Sequence, residues 1–201
     1  MSRFHPDSKK LYLAFFKPYG VLSQFTQPDD SEKKTLMEFG FPKDVYPIGR
    51  LDWDSEGLLL LSDDSKLNEA LLHPSRRHQR TYLAQVDNVP DQTALQQLES
   101  GVIVQGAKTL PAQAKLLEGE PHLPPRAVPI RYRKEIPTAW IELSITEGKN
   151  RQVRKMTAAV GHPTLRLVRV SIGQLKLSNL SLQPGEWLRL TEKQILAAFS
   201  D

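Results

Sequence analysis

A carboxylate and an arginine stand almost side by side in Gly49-Arg50-Leu51-Asp52, just ahead of the very apolar run Gly57 to Leu61. An ionised carboxylate can attack a carbon centre in covalent catalysis, and a nearby guanidinium favours the ionised form. Arg50 is one such cation, and Arg154, from a basic segment far along the chain, is another. Spacing alone describes an ordinary Arg50–Asp52 salt bridge at a strand end better than it describes a nucleophile, because structural ion pairs also perturb carboxylates.

The acids around Asp52 imitate a calcium loop: Asp52, Asp54, Glu56, Gly57 and Asp63 fall at positions 1, 3, 5, 6 and 12 of an EF-hand. Such a loop lies between two helices, whereas Pro47-Ile48-Gly49 precedes this one and Leu58 to Leu61 fill its second half. Calcium is set aside on that ground. A magnesium site of a nuclease stays open, since Asp52 and Asp54 share one side of an extended strand. In Arg80-Thr81-Tyr82 a cation and an aromatic also share one strand side, where Tyr82 can stack on a base and Arg80 can hold a phosphate. A cross-strand pair on a sheet surface is the plain alternative. His73, His78 and His162 are scattered and form no metal set.

Composition narrows the classes. The chain has 201 residues, 39% hydrophobic and without cysteine, which excludes disulfides, thiol nucleophiles and cysteine-ligated zinc. No stretch approaches the ~20 apolar residues of a membrane span, and Met1 to Lys10 lacks a signal peptide's apolar core. A cytoplasmic protein is expected. The net charge of +4 is unevenly spread: Gly148 to Gly185 holds no acid but Lys149, Arg151, Arg154, Lys155, Arg166, Arg169 and Lys176. Pro121 to Lys134, also acid-free, carries Arg126, Arg131, Arg133 and Lys134 among four prolines. Two such runs point to a phosphate-rich partner, a nucleic acid.

The elements that must position these residues follow from pattern. Leu11 to Phe16 reads as a strand ending in the Pro18-Tyr19-Gly20 turn, Pro28 to Lys34 as a polar loop, and Thr35 to Glu38 as a short helix. Val45 to Ile48 leads extended into Asp52, and Leu58 to Leu61 reads as a strand buried on both faces. A helix capped by Asp63 or Asp64 follows, with Leu67, Ala70 and Leu71 inward and Pro74 as its stop. Thr81 to Val86 alternates like a strand, Asp91 to Ser100 is a capped helix closed by Gly101, and short strands lie near Val102 to Val104 and Ala112 to Leu117. Four prolines keep Pro121 to Pro129 out of a central strand. Ala139 to Thr146 is a strand, and Asn150 is expected to cap a helix with Val153, Met156, Thr157 and Val160 inward. Its Arg151, Arg154 and Lys155 would share a second, basic face. Leu165 to Ile172, Gln174 to Leu177 and Trp187 to Leu190 are strands, and Glu192 to Phe199 a terminal helix. Without a strict βαβ rhythm this is an α+β fold with a largely antiparallel sheet.

Four segments in this order, Lys17-Pro18-Tyr19-Gly20-Val21-Leu22-Ser23, Gly49-Arg50-Leu51-Asp52-Trp53-Asp54-Ser55-Glu56-Gly57-Leu58-Leu59-Leu60-Leu61, Arg80-Thr81-Tyr82 and Glu147-Gly148-Lys149-Asn150-Arg151-Gln152-Val153-Arg154-Lys155-Met156, resemble the RsuA-like RNA pseudouridine synthases. Gly161-His162-Pro163, Leu167-Val168-Arg169 and Pro184-Gly185-Glu186-Trp187 are similar too, and the proline-arginine loop resembles the RluE-type subgroup that modifies large-subunit ribosomal RNA. The resemblance implies the pseudouridine synthase catalytic fold, a mixed sheet flanked by helices with a central RNA-binding cleft. It implies roles as well: Asp52 attacks the target nucleotide, Tyr82 packs on the flipped uracil, and Arg154 pairs with Asp52. Arg50, Arg80, Lys149, Arg151, Lys155, Arg131 and Arg133 are then RNA contacts. Arg80 stands where many relatives carry lysine, and Trp53 where tyrosine or arginine is common.

The implied activity is isomerisation of a specific uridine, in 23S ribosomal RNA, to pseudouridine, by a monomer that needs no metal and no cofactor. Residues 1–201 would form one catalytic domain, since the ten residues before Leu11 cannot hold a separate RNA-binding domain of the usual ~50 residues or more. A non-catalytic RNA-binding ribosome assembly factor is the alternative reading. Charge reversal at Arg131 and Arg133 is expected to weaken RNA binding and to flatten its salt dependence, each lost phosphate contact lowering the log–log slope by about 0.7 to 0.9. An unchanged slope would show that this loop does not touch RNA.

Overall fold

The computed structural model describes residues 4–29, 32–130 and 137–200. Two compact units divide the chain, one of Met1–His78 with Arg169–Asp201 and one of Gln79–Val168.

The first unit is built on β1 (Tyr12–Lys17), β2 (Tyr46–Ile48) and β3 (Glu56–Ser62), followed by α1 (Ser65–Leu72). Every residue of β1 and of β3 is buried, as the unbroken apolar run Leu58 to Leu61 leads one to expect of a strand covered on both faces. The two strands pair antiparallel from Tyr12 opposite Ser62 to Lys17 opposite Gly57. A short 3-10 helix at Leu36–Phe39 is capped by the Thr35 side chain. Of the two acids offered as the α1 cap, Asp64 takes the role, accepting from Lys66 N at 3.0 Å. Asp63 is engaged elsewhere, accepting the Leu11 N–H at 2.8 Å.

The second unit begins with β4 (Arg80–Asp87), then α2 (Gln92–Ser100), β5 (Ile103–Val104), β6 (Ala107–Lys108), β7 (Gln113–Leu116), β8 (Thr138–Ile145) and α3 (Gln152–Ala159). β6 has no counterpart in the sequence reading. It pairs with β5 across Gln105 and Gly106, whose φ values of 51° and 80° give the left-handed turn a two-residue hairpin needs. The alternation expected of β4 is not what its burial shows: Tyr82, Leu83 and Ala84 are buried in succession, which means that both faces of the strand are covered there. Strand β9 (Thr164–Ile172) runs through both units, residues 164–168 in the second and 169–172 in the first. The first unit closes with β10 (Leu175–Lys176), β11 (Trp187–Arg189) and α4 (Glu192–Ala197), the last held by a capping box between Thr191 and Gln194.

Within the first unit the strand order is β11-β1-β3-β9, with β2 also on β3 and β10 on β9; within the second it is β9-β4-β8-β7. The fold is α+β with a largely antiparallel sheet, as expected.

Two of the seven cations counted toward a basic face do not belong to one. Arg166 is 8% exposed and donates to the Pro124 carbonyl at 2.9 Å, pinning the proline-rich stretch to β9. Arg169 is 4% exposed and donates through Nε to the Leu58 carbonyl at 2.8 Å. Cations without acidic neighbours in sequence can still be spent on buried carbonyls, which composition does not reveal.

Gly57 shows why the start of β3 has no side chain. Its φ is 106°, and a Cβ there would come within 2.2 Å of the Arg169 carbonyl oxygen, a backbone atom that cannot move aside. Gly57→Ala is therefore expected to cost about 3 kcal/mol or more through backbone strain and overpacking, read as a lower urea midpoint at unchanged slope.

Candidate active site

Asp52 lies in a turn of the first unit that is gripped from both sides. Just before it, the Ser23 hydroxyl sits 3.1 Å from the Leu51 amide nitrogen and 2.8 Å from the Leu51 carbonyl oxygen, accepting from one and donating to the other. Just after it, the Trp53 carbonyl accepts the Gly20 N–H at 2.9 Å. The turn closes on itself when Ser55 N donates to the Asp52 carbonyl at 3.0 Å. Tyr19 packs on Trp53 with ring centroids 5.2 Å apart, and Lys33 Nζ lies 5.3 Å from the centre of the same indole. The segment Lys17 to Ser23 thus clasps the segment Leu51 to Gly57 at three points, and Asp52, partly exposed, stands between two of them.

The Arg50–Asp52 salt bridge favoured by spacing is not formed. Arg50 is exposed and joins no ion pair among the described residues. Spacing also did not single out Lys17, the buried cation that ends β1. It is 0% exposed and donates to the Val21 carbonyl at 2.6 Å and to the Pro18 carbonyl at 3.0 Å. Burial brings its pKa down from 10.5 to about 7, against the pull of Glu56, Asp54 and Asp52 and with the help of Arg169. A polar residue ending an apolar strand was the available signal. The acids Asp52, Asp54 and Glu56 do not make a calcium loop, since Glu56 is 2% exposed and already part of β3. Among the described residues no group of three or more histidines and acids is arranged to hold a metal ion.

The remaining site candidates belong to the second unit. Tyr82 lies on β4, 8% exposed, opposite Leu143 of β8. Arg80, partly buried at the start of the same strand, reaches the loop before α3: its Nη1 is 4.0 Å from where a Cβ on Gly148 would sit. Arg154 leaves α3 half-buried, with Nη1 donating to the Thr164 carbonyl at 3.1 Å. Lys149 and Arg151 are exposed, whereas Lys155 is drawn to the Gln105 side-chain oxygen at 2.9 Å and to that of Asn150 at 3.3 Å. Asn150 is therefore not the cap of α3. Arg151 holds that position in a left-handed conformation, φ 52°, without a side-chain cap bond. Arg131 and Arg133 lie outside the described residues.

What organises this basic loop is Glu147, which sequence reasoning also passed over. One carboxylate oxygen accepts from Leu110 N at 2.8 Å and from the Gln152 amide, while the other faces Lys149 Nζ at 3.3 Å. The Gln152 side-chain oxygen in turn accepts the Lys149 N–H at 2.9 Å. Burial alone would push the Glu147 carboxyl up; these donors outweigh it and hold the pKa below its ordinary 4.5. At the far end of α3 the His162 ring nitrogen lies 3.0 Å from the Asp87 carbonyl, and Asp87 N donates to the Pro163 carbonyl, fixing the Gly161-His162-Pro163 turn against β4.

The family profile described as RNA pseudouridylate synthase matches residues 11–159 of the chain. The chain belongs to the RNA pseudouridine synthase family. It is 55% identical over 171 residues to the ribosomal large subunit pseudouridine synthase E of Xanthomonas campestris pv. campestris, spanning 85% of this chain and 90% of that protein. A protein of the same name from Vibrio vulnificus is 45% identical over 184 residues, 92% of this chain and 76% of its own. Among solved structures, a crystal structure of a pseudouridylate synthase matches with a TM-score of 0.76 at 26% identity, covering 94% of this chain and 74% of the other. As a member of this family the synthase is an isomerase acting on RNA.

The Glu147 clamp makes a pH prediction for this synthase. A carboxyl whose folded pKa is depressed adds stability that is full above its unfolded value and is lost as pH falls through the lower folded one. The stability advantage of the wild type over Glu147→Gln should be constant at neutral pH and shrink below about pH 4.5. Urea midpoints at neutral and acid pH measure it, and an advantage independent of pH would contradict the clamp.

Proposed function

We propose that this pseudouridine synthase converts a specific uridine of large-subunit ribosomal RNA to pseudouridine, with Asp52 as the attacking group. The observation that carries the reading is the turn around Asp52, in which Ser23 and Gly20 immobilise the residues on either side of one partly exposed carboxylate. Prepositioning of this kind is what a nucleophile needs, because a misplaced reacting atom forfeits much of the gain from orientation. The names of the 55% and 45% identical relatives support the large ribosomal subunit as the source of substrate.

The reaction breaks the N1–C1′ glycosidic bond and forms C5–C1′, while the C5 proton is lost and N1 gains one. Nothing is consumed, and the proposal invokes no cofactor and no metal. To reach the bond the uracil must leave its stack, which costs a few kcal/mol. Tyr82 is assigned to stack on the flipped base, and Arg154 to pair with Asp52 and keep it ionised. Arg50, Arg80, Lys149, Arg151 and Lys155, with Arg131 and Arg133, are assigned to RNA. The two units act in this reading as a single catalytic domain, monomeric and cytoplasmic. Among the described residues no helix is long and apolar enough to cross a membrane.

Asp52→Asn should leave a folded protein that binds ribosomal RNA with wild-type affinity and forms no pseudouridine. Mapping of pseudouridines in ribosomal RNA from cells with and without the protein should show one large-subunit position lost and restored only by the wild type. Turnover by the Asp52→Asn protein, or an unchanged map, would defeat the proposal and favour a non-catalytic role in ribosome assembly.

A further inference from the structure

Lys17 ends a strand whose other five residues, Tyr12 to Phe16, are apolar or aromatic, and no part of it reaches solvent. Burying an ammonium group is costly, and an apolar side chain of similar length would fill the same space more cheaply. The charge must therefore be matched to something local. Its two hydrogen bonds go to the carbonyls of Pro18 and Val21, which flank Gly20, the residue that grips Trp53. Its charge is felt by Glu56 at the start of β3 and by Asp54 and Asp52 of the turn, with Arg169 of β9 opposing. One buried cation thus ties down the Pro18 to Val21 half of the clasp by hydrogen bonds and stands opposite Gly57, where the other half enters β3.

We propose that Lys17 is a positioning residue for the isomerisation, its ammonium charge setting the placement of the Asp52 turn from the interior. The inference rests on Asp52 being the attacking group. Because burial brings the Lys17 pKa down to about 7, the charge is present below neutrality and is lost above it. Rate and stability then respond to pH in opposite senses. As pH rises past neutrality the turn loses the attraction that places it, and the rate falls. Over the same range the folded protein has released a proton that the unfolded chain keeps until its ordinary value of 10.5, so stability rises.

The test compares wild type, Lys17→Arg, Lys17→Met and Asp52→Asn on a large-subunit ribosomal RNA transcript. Single-turnover rate, RNA affinity and urea midpoint are each measured from below to well above neutral pH. Wild type should show a basic limb in rate while its urea midpoint climbs. Lys17→Arg, which stays charged, should retain activity and lose that limb. Lys17→Met should bind RNA as tightly as wild type and react about 10- to 100-fold more slowly at low pH, the scale of a misplaced reacting group. A Lys17→Arg profile with the wild-type basic limb, or a Lys17→Met protein with the wild-type rate, would overturn the proposal. Should Lys17→Met fail to fold, the wild-type and Lys17→Arg profiles decide alone. Asp52→Asn separates the two readings: turnover by that variant refutes Asp52 itself, whereas an inert Asp52→Asn beside an unaltered Lys17→Arg profile refutes only Lys17.

Discussion

The antiparallel register of β1 on β3 is the constraint from which the turn around Asp52 follows. Its last rung sets Lys17 opposite Gly57, and beyond that rung both chains leave the sheet together. They stay in contact through Gly20 on Trp53 and Ser23 on Leu51, so the position of Asp52 is inherited from the strand pair beneath it. A slip of one residue would turn every side chain of β1 to the opposite face. It would remove Gly20 from Trp53 and Ser23 from Leu51 at once. Burial of β3 on both faces makes such a slip prohibitive, and Gly57 supplies the close approach of the β9 backbone on which that burial depends.

Charge in this protein divides into two kinds of work. Lys17, Arg166 and Arg169 are interior cations that satisfy backbone carbonyls, the first two fixing loops to strands and Arg169 joining β9 to β3. Lys149, Arg151 and Arg50 are exposed instead, with Lys149 also facing the Glu147 carboxylate at 3.3 Å. The second unit repeats the arrangement with opposite sign: the carboxylate of Glu147 gathers Leu110, Lys149 and Gln152 and so orients the basic loop ahead of Arg154. In each unit one charged side chain, the buried Lys17 or the partly buried Glu147, supports a loop through several hydrogen bonds. Rigid support matters where a base must be held out of its stack against an opposing cost.

Much of this was legible in the order of residues. The apolar run Leu58 to Leu61 determines a doubly buried strand whatever surrounds it, Thr35 and Asp91 announce helix starts, and four prolines keep 121–129 out of the sheet. These are local properties, set by side-chain shape and by the backbone groups a residue can or cannot offer. Composition likewise excluded thiol chemistry, and the motif around Asp52 identified the carboxylate to examine. Which partner each polar group takes is a different matter, because hydrogen bonds between residues distant in sequence form only after the chain has folded. Sequence offered Asn150 as a cap, Arg50 as the partner of Asp52 and seven cations as one face. The fold placed Arg151 at the cap, left Arg50 in solvent, and buried Arg166, Arg169 and Lys17 against carbonyls or carboxylates. A lysine code letter does not say whether its charge meets water or a strand end, and that difference is decided by tertiary burial, which sets Lys17 against the carbonyls of Pro18 and Val21.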